Sequence, residues 1–217
     1  MTTDASSFAP PAGLRESKKQ ETRQLISDHA TRLFMAQGFE QTTIAEIAAA
    51  ARVAKKTVTN YFPRKEDLAM DHQDAFIASL AGTVADRRAG ESALAALRRA
   101  FTDAATAAEP VAGFSGLDFA RMIADSPTLS ARLRDLHDLR EAALVDALAE
   151  ATGATRDDIT PRTAAALLGA VHRTLFRRIQ ELTLAGQDNA RISAAIIAEA
   201  DSAFGLLEPS LADYAAA

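Results

Sequence analysis

The sequence predicts an all-α protein in which a small N-terminal unit of three helices is followed by a larger helical unit. Apolar residues recur at intervals of three and four along most of the chain, and this spacing places them on one face of a helix. No run of alternating β-branched residues indicates a strand, and alanine, which has the best helix propensity, is abundant throughout. Glycines and prolines stand between the periodic segments and divide them into separate helices.

The first helix is predicted over residues 16–37. It follows a tail of residues 1–13 that has little to bury and is expected to be disordered. Ile26, Ala30 and Phe34 recur at helical spacing within the helix. Gly38 comes next, at the position where a left-handed residue commonly ends a helix.

Two short helices separated by a turn are predicted next. Thr43 and Glu46 have the spacing of a capping box, in which each side chain accepts a hydrogen bond from the other residue's main chain at a helix start. The second short helix is predicted over residues 55–61, with Val58 and Phe62 on its apolar side. Two compact helices joined by so short a turn form a helix-turn-helix.

The chain is expected to divide into a first domain at residues 14–64 and a larger one at 65–217. Beyond Pro63, one helix is predicted over residues 65–86. Five more are predicted over residues 92–108, 116–124, 128–152, 161–185 and 190–207. The last two carry long apolar rows. We therefore expect a homodimer in which these two helices pair with their copies as a four-helix bundle, because two-fold contact is the commonest way to cover such surface.

Charge is distributed unevenly between the two domains. Residues 14–65 hold ten Lys and Arg against five acidic residues, a net charge of +5, and the rest of the chain carries −10. All five lysines lie between positions 18 and 65. This asymmetry is typical of a nucleic-acid-binding module joined to a part that stays off DNA, although a solvated charged face has the same composition.

Composition argues against several other classes of protein. The chain has no cysteine, which excludes disulfides and thiolate metal sites. Its longest apolar run, at residues 164–171, is far shorter than the roughly 20 residues of a membrane span. Residues 1–13 have neither the charged nor the apolar region of a secretory signal. We therefore expect a soluble, cytoplasmic protein without a cofactor.

Two segments of the first domain share the pattern of a known family. The first segment holds Gly38, Phe39, Thr42 and Thr43, and the second holds Val53, Thr57, Phe62, Lys65 and Leu68. With this spacing, about a quarter of the chain resembles the DNA-binding signature of the TetR family of one-component transcriptional regulators. The resemblance implies a repressor that binds palindromic operator DNA as a dimer and is released by a small molecule bound in the larger domain.

The resemblance and the chemistry of the residues predict a DNA-binding surface at residues 43–62 and just beyond. Its expected members are Thr43, Lys55, Lys56, Thr57, Thr59, Asn60, Tyr61 and Lys65. Lys55 and Lys56 begin the recognition helix, whose first side chains meet base edges in the major groove, and lysine donates to guanine. The resemblance makes Thr43, Tyr61 and Lys65 phosphate contacts.

The chain departs from the family pattern at the turn and in the recognition helix. Ala54 replaces the usual serine before that helix, which removes a side-chain cap. Arg52 replaces a common turn glycine at some backbone strain. Thr59 and Asn60 stand where aromatic residues are frequent, so a different base preference is expected.

The effector is expected to be small and lipophilic, because aromatic and aliphatic side chains are available in the larger domain to enclose it. The residues expected to line its site are Phe76, Phe101, Phe119, Met122, His137, Arg140, His172 and Phe176. Among them, Arg140 would suit an anionic group.

Two other functions are weighed against this one. An architectural protein that binds DNA without an effector would lack an internal cavity in the larger domain. A helical-bundle enzyme would use the clusters of His and carboxylate at residues 71–74 and 137–138, since such bundles hold metals. No Glu-x-x-His pair, nucleophile elbow or phosphate loop accompanies these clusters, so we expect no catalysis.

Overall fold

The computed structural model describes residues 12–216, and it is all helix and turn over that range, with no strand. The chain divides after Asp71 into two compact units. We call residues 12–71 the N-terminal unit and residues 72–216 the C-terminal unit. The predicted tail lies outside the described residues up to position 11, and helix α1 already begins at Ala12.

The N-terminal unit contains four helices around one small core. They are α1 (Ala12–Gln37), α2 (Ile44–Ala50), α3 (Lys55–Tyr61) and α4 (Lys65–Ala69). The core residues come from all four and are almost fully buried: Ile26, Ala30, Phe34, Phe39, Ile47, Val58, Phe62 and Leu68. Gly38 adopts the left-handed φ of +86° expected of it, and its amide donates to the Phe34 carbonyl at the end of α1.

The prediction of one continuous helix over residues 65–86 is wrong, because the structure has two helices separated by a break. After α4 the chain leaves helical geometry at Met70 (φ −119°, ψ 50°), and α5 begins only at Gln73 and runs to Ala85. No glycine or proline marks this break in the sequence. It is stabilised from a distance, since Asp71 is ion-paired with Arg23 of α1. The unit boundary consequently follows Asp71, seven residues beyond the boundary drawn from the sequence.

The C-terminal unit is a bundle built around three long helices. After α5 come α6 (Ala93–Thr106), a 3-10 turn (Pro110–Ala112), α7 (Leu117–Asp125), α8 (Pro127–Thr152), α9 (Ile159–Leu184), α10 (Asn189–Gly205) and α11 (Glu208–Leu211). Helix α8 packs against α5 and α9, and α10 packs against α6 and α9. Every long helix lies within a few residues of its predicted range. Helix α11 lies beyond the last predicted helix. Its Pro209 has the position of a helix terminator in the sequence, after residue 207, but stands in the first turn of this helix.

The apolar rows of α9 and α10 face the core of their own chain. Leu168, Leu175 and Ile179 are at most 2% exposed, as are Ile192 and Ile196. One chain therefore covers these rows by itself, and the expectation that a second copy is needed to cover them is wrong. The outward faces of the two helices carry small and moderately apolar side chains instead: Ala166, Leu167, Ala170, Ala194 and Ala198.

Candidate nucleic-acid interface and effector cavity

Helices α2 and α3 form the predicted helix-turn-helix. The capping box opens α2 as expected: the Glu46 amide donates to Thr43 Oγ1 at 3.2 Å, and the Thr43 amide donates to Glu46 Oε2 at 2.8 Å. The hydrogen bonds from Thr43 lower the pKa of the Glu46 carboxyl. The Thr43 hydroxyl also donates to Glu46 Oε2 at 2.8 Å, so its proton is already engaged within the protein.

The recognition helix α3 buries Val58 and leaves a polar face in solvent. Lys55, Lys56 and Asn60 are exposed, and none of these three side chains hydrogen-bonds to another described residue. Thr59 is also exposed, and its hydroxyl donates to the Lys56 carbonyl at 3.2 Å. This face therefore offers two ammonium groups and an amide to a partner, which are the donors that read base edges in a major groove.

Lys65 has partners that the sequence did not predict. Its Nζ lies 2.9 Å from the Phe39 carbonyl oxygen, 3.1 Å from that of Thr42 and 3.4 Å from that of Glu40. It also stands 4.2 Å from the centre of the Phe39 ring. An ammonium has three N–H donors, so in this arrangement none remains directed toward a phosphate. Lys65 joins α4 to the loop between α1 and α2.

Arg23 makes a similar connection at the other end of α3. Its guanidinium donates to the Tyr61 carbonyl at 3.2 Å, pairs with the Asp71 carboxylate and lies 4.4 Å from the centre of the Phe62 ring. Sequence reasoning counted Arg23 only as one of the basic residues. A signal was present, because Arg23, Ile26 and Ala30 share one face of α1 at helical spacing.

The remaining predicted contacts differ in exposure. Tyr61 and Thr57 are half-buried, whereas Arg52 and Ala54 in and beside the turn are exposed. Arg52 adopts a left-handed φ of 55°, the strained geometry expected where glycine is missing. Ala54 caps α3 without a side-chain hydrogen bond.

The C-terminal unit contains a small internal cavity between α5, α6, α8 and α9. Its volume is about 60 Å³. It is lined by Ser79, Leu80, Thr83, Leu97, Ala100, Phe101, Ala104, Val111, Ala112, Arg140 and His172. We call this space the effector cavity. Three of the predicted effector residues, Phe101, Arg140 and His172, lie on its wall.

Arg140 is the charged group of this cavity and is 4% exposed. Its Nε donates to Ser79 Oγ at 2.8 Å, and its guanidinium carbon lies 4.4 Å from the centre of the Phe76 ring. Within the part of the chain that the structure describes, no carboxylate pairs with it. Burial alone lowers the pKa of Arg140 to about 9, so the group is still cationic at neutral pH.

Two aromatic clusters flank Arg140. On one side, His137 packs edge-on against Phe76 and Phe176, with ring centres 5.1 and 5.0 Å away. On the other side, His172 contacts Phe101 and Phe204. Burial, with a smaller contribution from neighbouring arginines, lowers the pKa of His137 to about 4 and that of His172 well below its ordinary value. Both imidazoles are therefore neutral at pH 7.

Five of the eight predicted effector residues do not line the effector cavity: Phe76, His137 and Phe176, which form the aromatic cluster beside Arg140, and two residues of α7. Phe119 and Met122 lie on α7 and are not among the residues that line the effector cavity. Phe204 of α10 and Ser79 of α5 belong to the surroundings of the cavity and were not predicted. Ser79 stands one helical turn from Phe76, and this spacing was the available signal for it.

A larger groove on the surface is less suited to hold a ligand. It measures about 460 Å³ and lies along α6 near Arg98 and Arg99. Both arginines are occupied, since Arg98 pairs with Asp201 and Glu208 and Arg99 pairs with Glu91. The hydrogen bonds that Glu91 accepts from the Arg99 side chain and from the Arg88 amide lower the pKa of its carboxyl to about 2. The charges of this groove are satisfied within the chain.

Metal binding and membrane insertion find no support in the described residues. Over residues 12–216, no group of three or more His, Asp or Glu side chains is placed to hold a metal ion. His137 is buried among aromatic rings while Asp138 beside it is exposed, so this pair does not converge. None of the helices described is both long and apolar enough to cross a bilayer.

Comparison with known folds agrees with this architecture. NalD, described as the secondary repressor of the MexAB-OprM multidrug efflux pump in Pseudomonas aeruginosa, superposes with a TM-score of 0.52 at 17% identity. The superposition covers 90% of this chain and 98% of NalD. SmeT, solved as a complex with triclosan, gives a TM-score of 0.53 at 21% identity over 85% of this chain and 91% of its own. These similarities show the fold.

Comparison of sequences shows the family. Residues 26–70 match the family model described as bacterial regulatory proteins, tetR family. The HTH-type transcriptional regulator TcmR of Streptomyces glaucescens is 31% identical over 171 residues, which cover 76% of this chain and 76% of TcmR. The helix-turn-helix, the helical C-terminal unit and this relative agree, and the chain belongs to the TetR family of transcriptional regulators.

Proposed function

We propose that this protein binds a palindromic operator as a homodimer in the cytoplasm, and that a small molecule bound in the effector cavity releases it. The observation that carries the DNA-binding part is the exposed face of α3. Lys55, Lys56 and Asn60 have no partner among the described residues and stand on a rigid helix that Val58 anchors to the core. Thr57, Thr59 and Tyr61 supply hydroxyl groups for phosphate contacts, which set register.

Lys65 and Thr43 are proposed to support DNA binding mainly by holding neighbouring segments in place, and not by donating hydrogen bonds to phosphates. Their donors are engaged by the Phe39–Thr42 loop and by Glu46. Lys65 still contributes a positive charge close to the helix-turn-helix, and it holds the α1–α2 loop through the carbonyls of Phe39, Glu40 and Thr42.

Dimerisation is proposed to occur through the outward faces of α9 and α10. Alanines on these faces permit close approach of two helices, and Leu167, 40% exposed, supplies apolar area. A two-fold axis here gives two reading heads. In the usual geometry such heads bind half-sites about 34–36 Å apart.

The cavity in the C-terminal unit favours a regulator that is released by an effector over an architectural protein that binds DNA without one. A polar group with no charged partner and a neighbouring void are features that an architectural bundle does not need. SmeT, which shares the fold, was solved with a small molecule bound. Coupling between the two sites is reciprocal and is typically worth about 1–3 kcal/mol.

The experiment that tests DNA binding compares three variants on an operator selected from random DNA. Lys55→Ala and Lys56→Ala should each cost about 1–3 kcal/mol and relax base preference, because each removes a donor to a base edge. Arg134→Ala, which removes an equal charge from an exposed site on α8, is the matched control and should bind like the parent. If both lysine variants bind as tightly as the control, α3 is not the reading helix.

A further inference from the structure

The effector cavity contains a buried cation that no carboxylate among residues 12–216 neutralises. Arg140 is 4% exposed, and its partners are one hydroxyl, Ser79 Oγ, and one aromatic face, Phe76. Three other arginines of this unit differ from it, because Arg98, Arg99 and Arg173 each pair with a carboxylate. An uncompensated buried charge costs several kcal/mol, so Arg140 needs an explanation beyond packing.

A second polar group on the same wall also lacks a partner. His172 is 5% exposed, and its Nε2 atom is fully buried with no hydrogen bond. The imidazole is neutral, so Nε2 can either accept a hydrogen bond from a ligand or donate one to it. Two deeply buried polar side chains thus border the same void, and each has unused hydrogen-bonding capacity there.

The rest of the wall is apolar or weakly polar. Leu80, Leu97, Phe101 and Ala104 supply most of it. Such a wall lowers the local dielectric constant, so an ion pair formed against it is stronger than the same pair in water.

We propose that the effector cavity is the seat of an organic anion, with its carboxylate on the Arg140 guanidinium and its apolar part against Leu97, Phe101 and Ala104. His172 Nε2 donates a further hydrogen bond to the carboxylate. Ser79, whose hydroxyl donates to the Phe76 carbonyl at 2.7 Å, holds the guanidinium in place by accepting from Arg140 Nε. A carboxylate fits the planar fork of an arginine in two parallel hydrogen bonds, which an alcohol or an amide does not reproduce.

The size of the cavity limits what enters without rearrangement. About 60 Å³ holds a carboxylate and a few carbon atoms, whereas drug-sized ligands occupy roughly 300–1,000 Å³. A longer body therefore displaces wall side chains. Half-buried Thr83, Ala100 and Val111 form the part of the wall that reaches toward solvent.

This inference rests on the proposed effector site but is tested by ligand binding, apart from DNA. The probes are butyrate, octanoate and benzoate, each compared at constant ionic strength with its neutral counterpart, butanol, octanol or benzyl alcohol. Calorimetry and thermal unfolding of the full chain are the measurements. We expect at least one carboxylate to bind and to raise the unfolding temperature, with about tenfold or greater preference over its alcohol.

Variants distinguish a binding arginine from a structural one. Arg140→Met keeps an apolar stem and removes the charge. It should raise the unfolding temperature of the ligand-free protein and abolish the stabilisation by carboxylate. Arg134→Met, at an exposed site on the same helix, should change neither. If Arg140 were only structural, Arg140→Met would lower the unfolding temperature of the ligand-free protein, and carboxylates would still raise it.

The inference is overturned if no carboxylate binds, if an alcohol binds as tightly as its acid, or if Arg140→Met still binds the acid. It is separable from the proposed function. A carboxylate that binds through Arg140 without weakening operator affinity would leave this inference standing and remove effector-dependent release. A neutral compound that releases DNA without Arg140 would do the opposite.

Discussion

At the scale of single residues, the partners of Lys65 and Arg23 decide how the N-terminal unit keeps its shape. Each side chain crosses from one helix to a main-chain carbonyl on another segment and covers an aromatic ring. The sequence correctly predicted which residues belong to the helix-turn-helix. It did not predict these partners, because a residue's tertiary hydrogen bonds depend on how helices pack and leave no periodic trace in the chain.

The first residue-scale prediction concerns Lys65. Lys65→Met should destabilise the N-terminal unit by about 1.5–3 kcal/mol, because three carbonyls lose a charged donor. Hydrogen exchange of amides in α1–α4 is the measurement, and Lys56→Met, at an exposed site, should leave exchange unchanged. Operator affinity should fall in Lys65→Met. The alternative is that the lysine contacts phosphate directly. In that case the stability of the N-terminal unit would be unchanged, and the slope of log operator affinity against log salt concentration would fall by about one unit.

The second residue-scale prediction is a pH dependence. The pKa of His137 is lowered to about 4, so on acidification the unfolded chain takes up a proton near pH 6.5 while the folded chain does not. Folding stability contributed by His137 is therefore full above pH 6.5 and is lost as pH falls toward 4, by up to about 3 kcal/mol.

The control for this prediction is His137→Leu, which removes the titrating group and keeps an apolar side chain. Chemical unfolding at a series of pH values should show the parent losing up to about 3 kcal/mol of stability relative to the variant as pH falls from 6.5 to 4. Stability curves of parent and variant that stay parallel over that interval would show that His137 does not titrate differently in the folded protein.

At the scale of elements, periodicity and caps predicted the helices well, but they did not predict a helix break that is stabilised by a contact distant in sequence. Helix α3 has the predicted bounds, and α2 begins at its predicted cap. The interruption between α4 and α5 was missed because the residues there, Met70 to His72, include no helix breaker. What holds the break is the ion pair between Asp71 and Arg23, 48 positions apart.

An element-scale prediction follows from the unequal caps of α2 and α3. Ala54→Ser should stabilise the N-terminal unit by about 0.5–1 kcal/mol, because serine accepts from an amide in the first turn of α3. Thr43→Ala should destabilise it by about 1 kcal/mol, since it removes an existing cap. Unfolding of both variants by denaturant measures this. Equal stability of Ala54→Ser and parent would mean that the turn strained at Arg52 prevents the serine from reaching the helix.

At the scale of the whole molecule, apolar patterns did not distinguish an internal core from an intermolecular face. The rows on α9 and α10 cover the chain's own core, since Leu168 and Phe204 belong to the same buried hydrophobic cluster as Leu97. Gly169 illustrates the same ambiguity. Its missing side chain leaves room for Glu141, whose carboxylate pairs with Arg173, and not for a second chain's backbone.

The whole-molecule prediction concerns the proposed dimer. Leu167→Glu combined with Ala194→Glu should give a monomer that binds the operator poorly, because both side chains are exposed on the outward faces of α9 and α10. Leu139→Glu, on α8 and 45% exposed, is the matched control and should remain dimeric. Sedimentation equilibrium gives the mass of each. Charges at Leu175 or Ile196 would be uninformative, since both residues are buried and such changes unfold the chain.

The position of the lysines has a practical consequence for handling the protein. All five lie in the N-terminal unit, at positions 18, 19, 55, 56 and 65, and the ammonium of Lys65 is enclosed by carbonyls. Apart from the chain's α-amino group, amine-reactive reagents therefore modify the N-terminal unit, which contains the helix-turn-helix, and leave the side chains of the C-terminal unit unmodified. Immobilising the protein on an amine-reactive surface should therefore abolish operator binding and leave ligand binding intact. Lysine-specific proteolysis would leave residues 66–217 as one fragment.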